Sequence, residues 1–502
     1  MTARSRPELE REILTWVDDN RGPGIKFLQE LIQTPSYSGR EGTAAEPATV
    51  VGRVFAAAKA HAFEVESQVV GPESENVIEV IPGQGKRAMI LEAHTDIVPE
   101  GDSRPWHDGL PFSGAEGFVE YLGGARVAVE VGRGRYEAAI RDRMARIWEM
   151  RKQKRLPIVY GRGSFDNKGP VVSTVLAMGA LSAMLKTTGS QLAGTAIGAY
   201  SVDEETHATG IRRFASGADS WLGRHGYLDG PSDDEGWMTE ICGIAMDGSY
   251  GWLPIVGHRG SAQFELRTSG RSAHASTPHL GANAIELMSM LLLRLRDSEN
   301  ELREELLESL EAGLLGPPTF AIGTTIVGGG VRSVAMSQQG PVIDRSAVNA
   351  IPNWCRATID VRFPPARELP LAETVALIQE VLESALRKVP LADGWSWELA
   401  ALDRDPPVAL GRDFEEAARR PIVRLARNRA HQILGFEPHL ETAPGGTDAS
   451  IMISESRIPT LVEFGPAGAL SHDTHEYVEV ESVIQGAKIL ALTALDVLGI
   501  AE

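Results

Sequence analysis

Glu204 and Glu205 stand side by side, one residue beyond the apolar segment that ends at Val202. Adjacent side chains on an extended segment point to opposite sides, so the two carboxylates are suited to different tasks. One could bind a metal ion while its neighbour moves protons. A solvated acidic turn is the ordinary explanation of such a pair, and the residues elsewhere in the chain decide between the two.

Other potential ligands also follow apolar, strand-like runs. His94 and Asp96 come after residues 88–91, and Asp247 comes after residues 241–246. Positions two apart on a strand face the same side, so His94 and Asp96 would converge at the end of their strand. Each of these residues alone is more often structural, and only the set indicates a metal site.

Asp166 lies in a glycine-rich loop, residues 161–170, that leads into a helical pattern. The glycines indicate a tight backbone passage that presents the Asp166 carboxylate. A phosphate-binding loop is disfavoured because no Gly-Lys-Ser/Thr follows at the required spacing. Near the carboxyl terminus, His472 and His475 compete for one ligand role, and spacing alone does not choose between them.

The composition limits the classes of protein and of metal site. The chain has 502 residues and a net charge of −19, which argues against a general binder of nucleic acid or of anionic membranes. Cys242 and Cys355 are the only cysteines, so we expect neither a disulfide framework nor a thiolate metal site. Metal ligands would then be oxygen and imidazole.

The amino-terminal residues 1–20 resemble an amphipathic helix more than a signal peptide. No run approaches the roughly 18 apolar residues that indicate a membrane span. We therefore expect a soluble cytoplasmic protein.

Apolar runs alternate with helical patterns through the first half of the chain. Strands are predicted at residues 76–81, 87–92 and 194–202, and a helix at residues 170–185. This order indicates an α/β fold with a mostly parallel sheet and helices on both faces, and functional groups gather beyond the carboxyl ends of such strands.

The chain is too long for one compact core and predicts two domains. The larger domain takes residues 1–257 and 403–502, and a smaller inserted α+β domain takes residues 258–402. Within the inserted domain we predict strands at residues 263–267 and 356–363 and a long helix at residues 283–310.

Two segments interrupt this alternation of strands and helices, at residues 114–157 and 207–240. In the first, a glycine-rich stretch leads into a charged helix predicted at residues 135–155. Both segments are either solvated decoration or a cover that shapes the substrate pocket.

Taken together, these motifs resemble the co-catalytic metallopeptidase family of aminoacylase, carboxypeptidase G, acetylornithine deacetylase and succinyl-diaminopimelate desuccinylase. The resemblance extends from about residue 25 to residue 490. The matching segments are residues 94–99 with Trp106 and residues 111–113, residues 161–170, residues 272–278 with residues 281–284, and residues 445–448.

The resemblance implies two divalent metal ions, zinc by preference, with manganese or cobalt as alternatives. It makes Asp166 the carboxylate shared by both ions. One ion would also take His94 and Asp247, and the other Glu205 and His472. Asp96 would orient His94, and Glu204 would be the general base.

The resemblance also makes the larger domain the catalytic, metal-binding domain and the inserted domain a lid and dimerisation domain. It implies residues that grip a small-molecule substrate. His274 matches a histidine that the neighbouring subunit donates to stabilise the oxyanion, which predicts a homodimer or a higher homo-oligomer. Asn349 and Arg362 resemble residues that hold a substrate carboxylate, and Gly446 would add a backbone N–H.

The expected reaction is hydrolysis of the amide bond of a dipeptide or an N-acyl amino acid with a free carboxylate. The rival is a non-peptide C–N bond, such as a carbamoyl, amidine or aromatic amine group, because insertions surround the predicted pocket. The continuation after Glu205 and a further insertion before Asn349 also depart from the family pattern. A non-catalytic binding homologue is disfavoured, because Glu204 and the ligands are all retained.

Overall fold

The computed structural model describes residues 4–61, 63–248, 251–329, 331–337, 340–345, 349–366 and 369–501. The chain divides into two compact units. Unit 1 comprises Met1–Val256, Phe414–Glu441 and Thr447–Glu502. Unit 2 comprises Gly257–Asp413 and Thr442–Gly446. The predicted division of labour between a catalytic and a lid domain stays a prediction.

The helices and strands follow one another along the chain in a mixed α/β order. The helices are α1 (Arg6–Asp19), α2 (Arg21–Ile32), α3 (Val50–His61), α4 (Asp142–Met150), α5 (Gly169–Thr188), α6 (Thr209–Ala215), α7 (Trp221–Arg224), α8 (Ala284–Asp297), α9 (Glu299–Leu307), α10 (Leu371–Leu386), α11 (Phe414–Arg419), α12 (Pro421–Leu434), α13 (Ala449–Ser454) and α14 (Val480–Leu498). The strands are β1 (Glu64–Gly71), β2 (Ser74–Ile81), β3 (Ala88–His94), β4 (Ala115–Gly123), β5 (Arg126–Val131), β6 (Gly134–Ala139), β7 (Arg155–Tyr160), β8 (Thr195–Ser201), β9 (Ile241–Ala245), β10 (Ile255–His258), β11 (Gly260–Ser269), β12 (Thr319–Gly328), β13 (Val331–Ser337), β14 (Gly340–Arg345), β15 (Trp354–Phe363), β16 (Ser396–Asp405), β17 (Val408–Ala409), β18 (Glu441–Ala443), β19 (Thr460–Leu461), β20 (Gly468–Ala469) and β21 (Tyr477–Glu479).

The first sheet of unit 1 has the strand order β1-β2-β8-β3-β9-β19. The pairs β8–β3, β3–β9 and β9–β19 are parallel, and the two pairs at the β1 edge are antiparallel. Strands β3 and β8 are buried along their whole length, as is usual for central strands of a parallel sheet. The predicted mostly parallel α/β sheet is confirmed, and the carboxyl ends of β3, β8 and β9 meet at one edge.

Helix α5 packs beside this sheet, against α1 and α14. It is apolar on nearly all sides, which is typical of a helix in the centre of a fold. By length and composition, Ser164–Thr188 could cross a membrane, a possibility that the sequence analysis did not foresee. In the structure, 78% of the 18-residue apolar stretch within this segment is buried inside the protein, so the surrounding elements cover its apolar surface.

The second sheet of unit 1 is antiparallel throughout, in the order β20-β21-β7-β4-β5-β6. The first insertion supplies β4, β5 and β6, so the helix predicted at residues 135–155 is wrong. Arg135–Ala139 instead continues a hairpin, with exposure alternating along β6, and only Asp142–Met150 is helical. High charge suggested a helix, but the period of two in side-chain exposure is that of a strand.

Unit 2 contains a four-stranded antiparallel sheet in the order β12-β15-β11-β16. Burial alternates along β11 and β15, so one face of the sheet packs on α8, α9 and α10. The single long helix predicted at residues 283–310 is two helices that meet at Ser298. The Ser298 hydroxyl donates to the Arg294 carbonyl at 2.8 Å, and such side-chain bonds compete with helix continuation.

Candidate metal centre

His94 and Asp96 stand at the end of β3 and face inward together. The His94 Nδ1–H donates to the Asp96 carbonyl at 3.2 Å, and an Asp96 carboxylate oxygen lies 3.4 Å from the same nitrogen. These bonds fix the ring, so Nε2 points to the acidic groups: it is 3.3 Å from Asp166 Oδ1 and 3.9 Å from Asp247 Oδ1.

Asp96 also organises the glutamate pair that follows β8. Its two carboxylate oxygens accept the backbone N–H groups of Glu204 and Glu205 at 3.1 and 3.0 Å. The Ser38 hydroxyl donates to the same carboxylate at 2.7 Å. With the backbone held in this way, Glu204 Oε2 approaches His94 Nε2 at 3.9 Å, whereas Glu205 Oε2 approaches His472 Nε2 at 3.1 Å. The two adjacent side chains therefore reach different parts of the site.

Pairing of β7 with β21 brings Asp166 to His472. These strands are antiparallel, and Tyr160 at the end of β7 pairs with Tyr477 at the start of β21. The loop that follows β7 therefore lies beside the loop that precedes β21. Asp166 Oδ1 faces His94, and Asp166 Oδ2 lies 3.3 Å from His472 Nε2.

Glu476, which the sequence analysis did not select, anchors the Asp166 loop. Its buried carboxylate accepts the backbone N–H groups of Gly163, Phe165 and Asp166, each at 3.0 Å. Arg162 Nη1 donates to it at 2.6 Å. An acidic residue one position after a histidine gave no sequence signal for this role, because its partners lie more than 300 residues away.

Within the part of the chain that the structure describes, two groups of side chains can each hold a metal ion, and Asp166 belongs to both. They are His94, Asp166 and Asp247, and Asp166, Glu205 and His472; within each group the ligand atoms lie within 4.8 Å of one another. His94 Nε2 is buried and, among the described residues, has no hydrogen-bond partner. A buried nitrogen without a partner, aimed at carboxylates, fits a metal ion, and the imidazole and oxygen donors suit zinc.

The electrostatics of the site show how much negative charge is concentrated there. Burial raises the pKa of Glu204 well above its usual value, and nearby carboxylates add to the effect. Burial and Asp166 raise the pKa of Glu205 to about 7. Hydrogen bonds to Asp166 and Glu205 raise the pKa of His472 to about 10. Divalent cations would relieve this repulsion.

His475, the rival of His472, has a different environment. Its ring stacks on Tyr136 with centroids 4.0 Å apart, and Tyr160 Oη lies 3.0 Å from its Nδ1. His472 rather than His475 thus lies among the carboxylates, although the ligand roles themselves stay predictions.

The site rests on further buried carboxylates that the sequence analysis left out. Asp448, known there only as the end of a glycine turn, lies with its carboxylate 2.9 Å from the Ser201 hydroxyl oxygen. The Glu92 carboxylate lies 2.6 Å from the same oxygen. Burial raises the pKa of Asp448 to about 7. Alternation along β3 could have indicated Glu92, since it faces the same side as His94.

Unit 2 contains His274, Asn349 and Arg362, the three residues predicted in the lid, but they do not lie together. Gly446, which was predicted in the catalytic domain, also belongs to unit 2. His274 is exposed, and the neighbouring Ala275 N–H donates to the Asn349 carbonyl at 2.8 Å. Arg362 lies at the other end of β15, where it pairs with Asp360 through two hydrogen bonds of 2.7 and 3.1 Å. Strand β15 begins at Trp354, shortly after Asn349, and Arg362 is its second-to-last residue. The strand places Trp354 and Arg362 about 25 Å apart.

Gly446 lies at a different place from His274 and Asn349. A Cβ added to it would meet the His258 ring at 3.6 Å. The positive charge of Arg362 helps to lower the pKa of the same histidine. Unit 2 therefore groups Arg362 with Gly446 and groups His274 with Asn349.

The model of Peptidase family M20/M25/M40 matches residues 144–496, well over half of the chain. The chain belongs to this peptidase family. This M20 family member is therefore a hydrolase that acts on C–N bonds, and the resemblance inferred from its motifs is confirmed.

Individual relatives agree with this assignment. A succinyl-diaminopimelate desuccinylase of Caulobacter is 26% identical over 413 residues, which are 81% of this chain and 80% of the relative. Human carnosine dipeptidase 1 matches with a TM-score of 0.60 at 13% identity and covers 97% of this chain and 98% of its own. A dipeptidase of Saccharomyces cerevisiae matches with a TM-score of 0.60 at 12% identity, over 97% and 98%. The two structures show that the fold is shared.

Proposed function

We propose that this M20 family member hydrolyses the amide bond of a dipeptide or an N-acyl amino acid that carries a free carboxylate, with two divalent metal ions at the site. The observation that supports it most is the sharing of Asp166 by two groups of ligands. His94 and Asp247 complete one group, and Glu205 and His472 complete the other. Zinc is our first choice, with manganese and cobalt as alternatives.

Bound there, the metal ions would polarise the substrate carbonyl and lower the pKa of a water molecule. Glu204 takes the proton of the attacking water at its carboxylate and returns it to the leaving nitrogen. Burial raises the pKa of Glu204 above its usual value, and bound metal ions would lower it again. Asp96 keeps Glu204 and Glu205 in place through their backbones.

The substrate grip requires two copies of the chain. Within unit 2, Arg362 and Gly446 are separated from His274 and Asn349 by about the length of β15. A dipeptide cannot span that distance, because its two residues extend at most about 7 Å. One chain therefore supplies Arg362 and Gly446, and the partner subunit of a homodimer supplies His274 and Asn349.

We place this enzyme in the cytoplasm. Cys242 and Cys355 are both free thiols in the structure, and free thiols persist most readily in a reducing compartment.

Chelation followed by metal addition tests the proposal. The chelated enzyme should lose hydrolysis of dipeptides and N-acyl amino acids, and zinc, manganese or cobalt should restore it. Elemental analysis should find close to two equivalents of metal per chain, fewer in His472→Gln, and an unchanged content in His475→Gln. Absence of metal binding, or activity that survives chelation, would refute the proposal.

Mixing of variants tests the need for two copies. His274→Ala and Glu204→Gln are each inactive in this account, but a mixture that exchanges subunits should recover up to a quarter of the wild-type activity, since half of the dimers are mixed and each has one intact site. A mixture that stays inactive although its subunits exchange would refute donation across the dimer.

A further inference from the structure

The first insertion contacts the loop that carries His472, residues 470–476, which we name the ligand loop. Tyr136 of β6 stacks its ring on the ring of His475, with centroids 4.0 Å apart and ring planes 19° apart. His475 follows His472 by three residues. A side chain of the insertion therefore packs directly on the loop of a candidate metal ligand.

The backbone of the ligand loop has a conformation that needs support from its neighbours. Leu470, His472 and His475 have φ angles of 67°, 61° and 65°, all in the left-handed region. That region is unfavourable for residues other than glycine, so the conformation persists only where surrounding groups impose it. The His472 side chain is 56% exposed, so packing around its own ring restrains it little. The position of this ring therefore depends on how the rest of the loop is held.

Groups outside the insertion hold the ligand loop at other points. Arg162 Nη2 donates to the Asp473 carbonyl at 3.1 Å. Tyr160 Oη lies 3.0 Å from His475 Nδ1, which is a contact at the edge of the imidazole ring. Tyr136 stacks on a face of the same ring, so it restrains His475 in a direction that the edge contact does not.

The Tyr136 ring is itself held in place. Its Oη lies 3.0 Å from His107 Nδ1, and the His107 backbone N–H donates to Tyr160 Oη at 2.9 Å. A Cβ at position 134 would come within 2.5 Å of Tyr136 Oη, so alanine in place of Gly134 would displace the ring. Tyr136 is thus a fixed contact for the ligand loop rather than a free surface side chain.

From these contacts we infer that Tyr136 is a positioning residue: it supports the ligand loop through His475 and so keeps His472 where it can bind metal. The inference rests on the proposed function, in which His472 is a metal ligand. It gives the first insertion a role other than decoration or a cover over the substrate pocket. Tyr136 should therefore affect the metal ion that His472 helps to bind, and not the ion bound by His94 and Asp247.

Zinc titration tests the role of Tyr136, and the ion whose binding is lost in His472→Gln identifies the position to follow. Tyr136→Leu removes the ring from a half-buried position of β6. It should weaken binding of that ion roughly tenfold, the upper range of what one aromatic pair contributes, and leave the other ion unchanged. Gly134→Ala, which displaces the ring, and His475→Gln, which removes its partner, should share the loss of affinity. All three variants should still hold two equivalents in excess zinc.

Two controls separate positioning from a general loss of structure. Tyr136→Phe keeps the stacked ring and should retain wild-type affinity. Tyr121→Leu removes a tyrosine from the same insertion whose ring stacks on Trp148 instead, with centroids 5.8 Å apart, and it should leave both affinities unchanged. In a His472→Gln background, Tyr136→Leu should not weaken the remaining ion. Wild-type affinity in Tyr136→Leu, an equal loss in Tyr121→Leu, or weaker binding of the remaining ion would overturn the inference.

Hydrogen exchange separates failure of this inference from failure of the proposed function, because it needs no metal. The Asp473 N–H donates to the Leu470 carbonyl at 3.1 Å, so its exchange reports on the ligand loop. In metal-free protein, exchange in residues 470–476 should be about tenfold faster in Tyr136→Leu than in wild type, and unchanged in Tyr121→Leu. If the wild type binds no zinc, the proposed function fails, and the exchange rate alone judges the support of the loop. An unchanged rate in Tyr136→Leu would refute that support.

Discussion

Unit 1 brings its candidate functional residues together, whereas unit 2 holds its candidates apart. Unit 1 brings candidate ligands from five distant segments to one place, because the parallel strands β3, β8 and β9 end at one edge and β7 pairs with β21. Unit 2 holds its candidates at two ends of one sheet. The difference teaches that metal binding can be completed within one chain, whereas the proposed substrate grip cannot.

The strongest test of this contrast is Asp166→Asn. Both ligand groups share this carboxylate, so we expect metal content to fall at both positions and hydrolysis to drop to the background rate. Elemental analysis and dipeptide assays measure the two effects. Asp219→Asn, at an exposed position of the same unit, should change neither, and two bound metal ions in Asp166→Asn would show that the carboxylate is not shared.

Unit 2 offers a contrasting effect that needs no metal. His258 is fully buried, and burial lowers its pKa to about 4. In the unfolded chain His258 is protonated below about pH 6.5, whereas in the folded chain it is protonated only below about pH 4. The free energy of unfolding should therefore fall by roughly 3 kcal/mol as the pH drops through this window.

Urea unfolding at pH 7 and pH 4.5 measures the His258 effect. His258→Gln should lose most of this pH dependence, and His279→Gln, at an exposed position, should keep it. If His258→Gln and wild type lose equal stability on acidification, His258 is not the group that titrates.

A smaller effect is expected at Asp96, which supports the ligands without belonging to either group. Removal of such a supporting partner typically costs about 10–100-fold in metal affinity. Asp96→Ala should weaken binding in that range, because His94 and the backbones of Glu204 and Glu205 lose their common acceptor. Zinc titration measures it, with Ser38→Ala as the milder companion. Unchanged affinity in Asp96→Ala would show that the ligands hold their positions unaided.

The sequence predicted most of the first sheet, because apolar runs mark strands directly. The residues that the structure groups around Asp166 came from the family resemblance, since spacing alone did not choose between His472 and His475. The sequence did not predict Glu476 or Asp448, whose roles depend on partners that only the fold brings near. The helix predicted at Arg135–Ala139 was wrong, because the high charge of this segment does not reveal that it pairs with β5. The distance between Arg362 and His274 could not be predicted, because it depends on the length of β15 and the spacing of motifs in the sequence does not reveal that length.

The central claim is that the adjacent glutamates divide metal binding and proton transfer between them. The direct measurement is metal content and kcat for Glu204→Gln and Glu205→Gln side by side. Glu204→Gln should keep its full metal content and lose about 10²–10⁴-fold in kcat, whereas Glu205→Gln should lose metal. Equal behaviour of the two variants in both measurements would contradict the account.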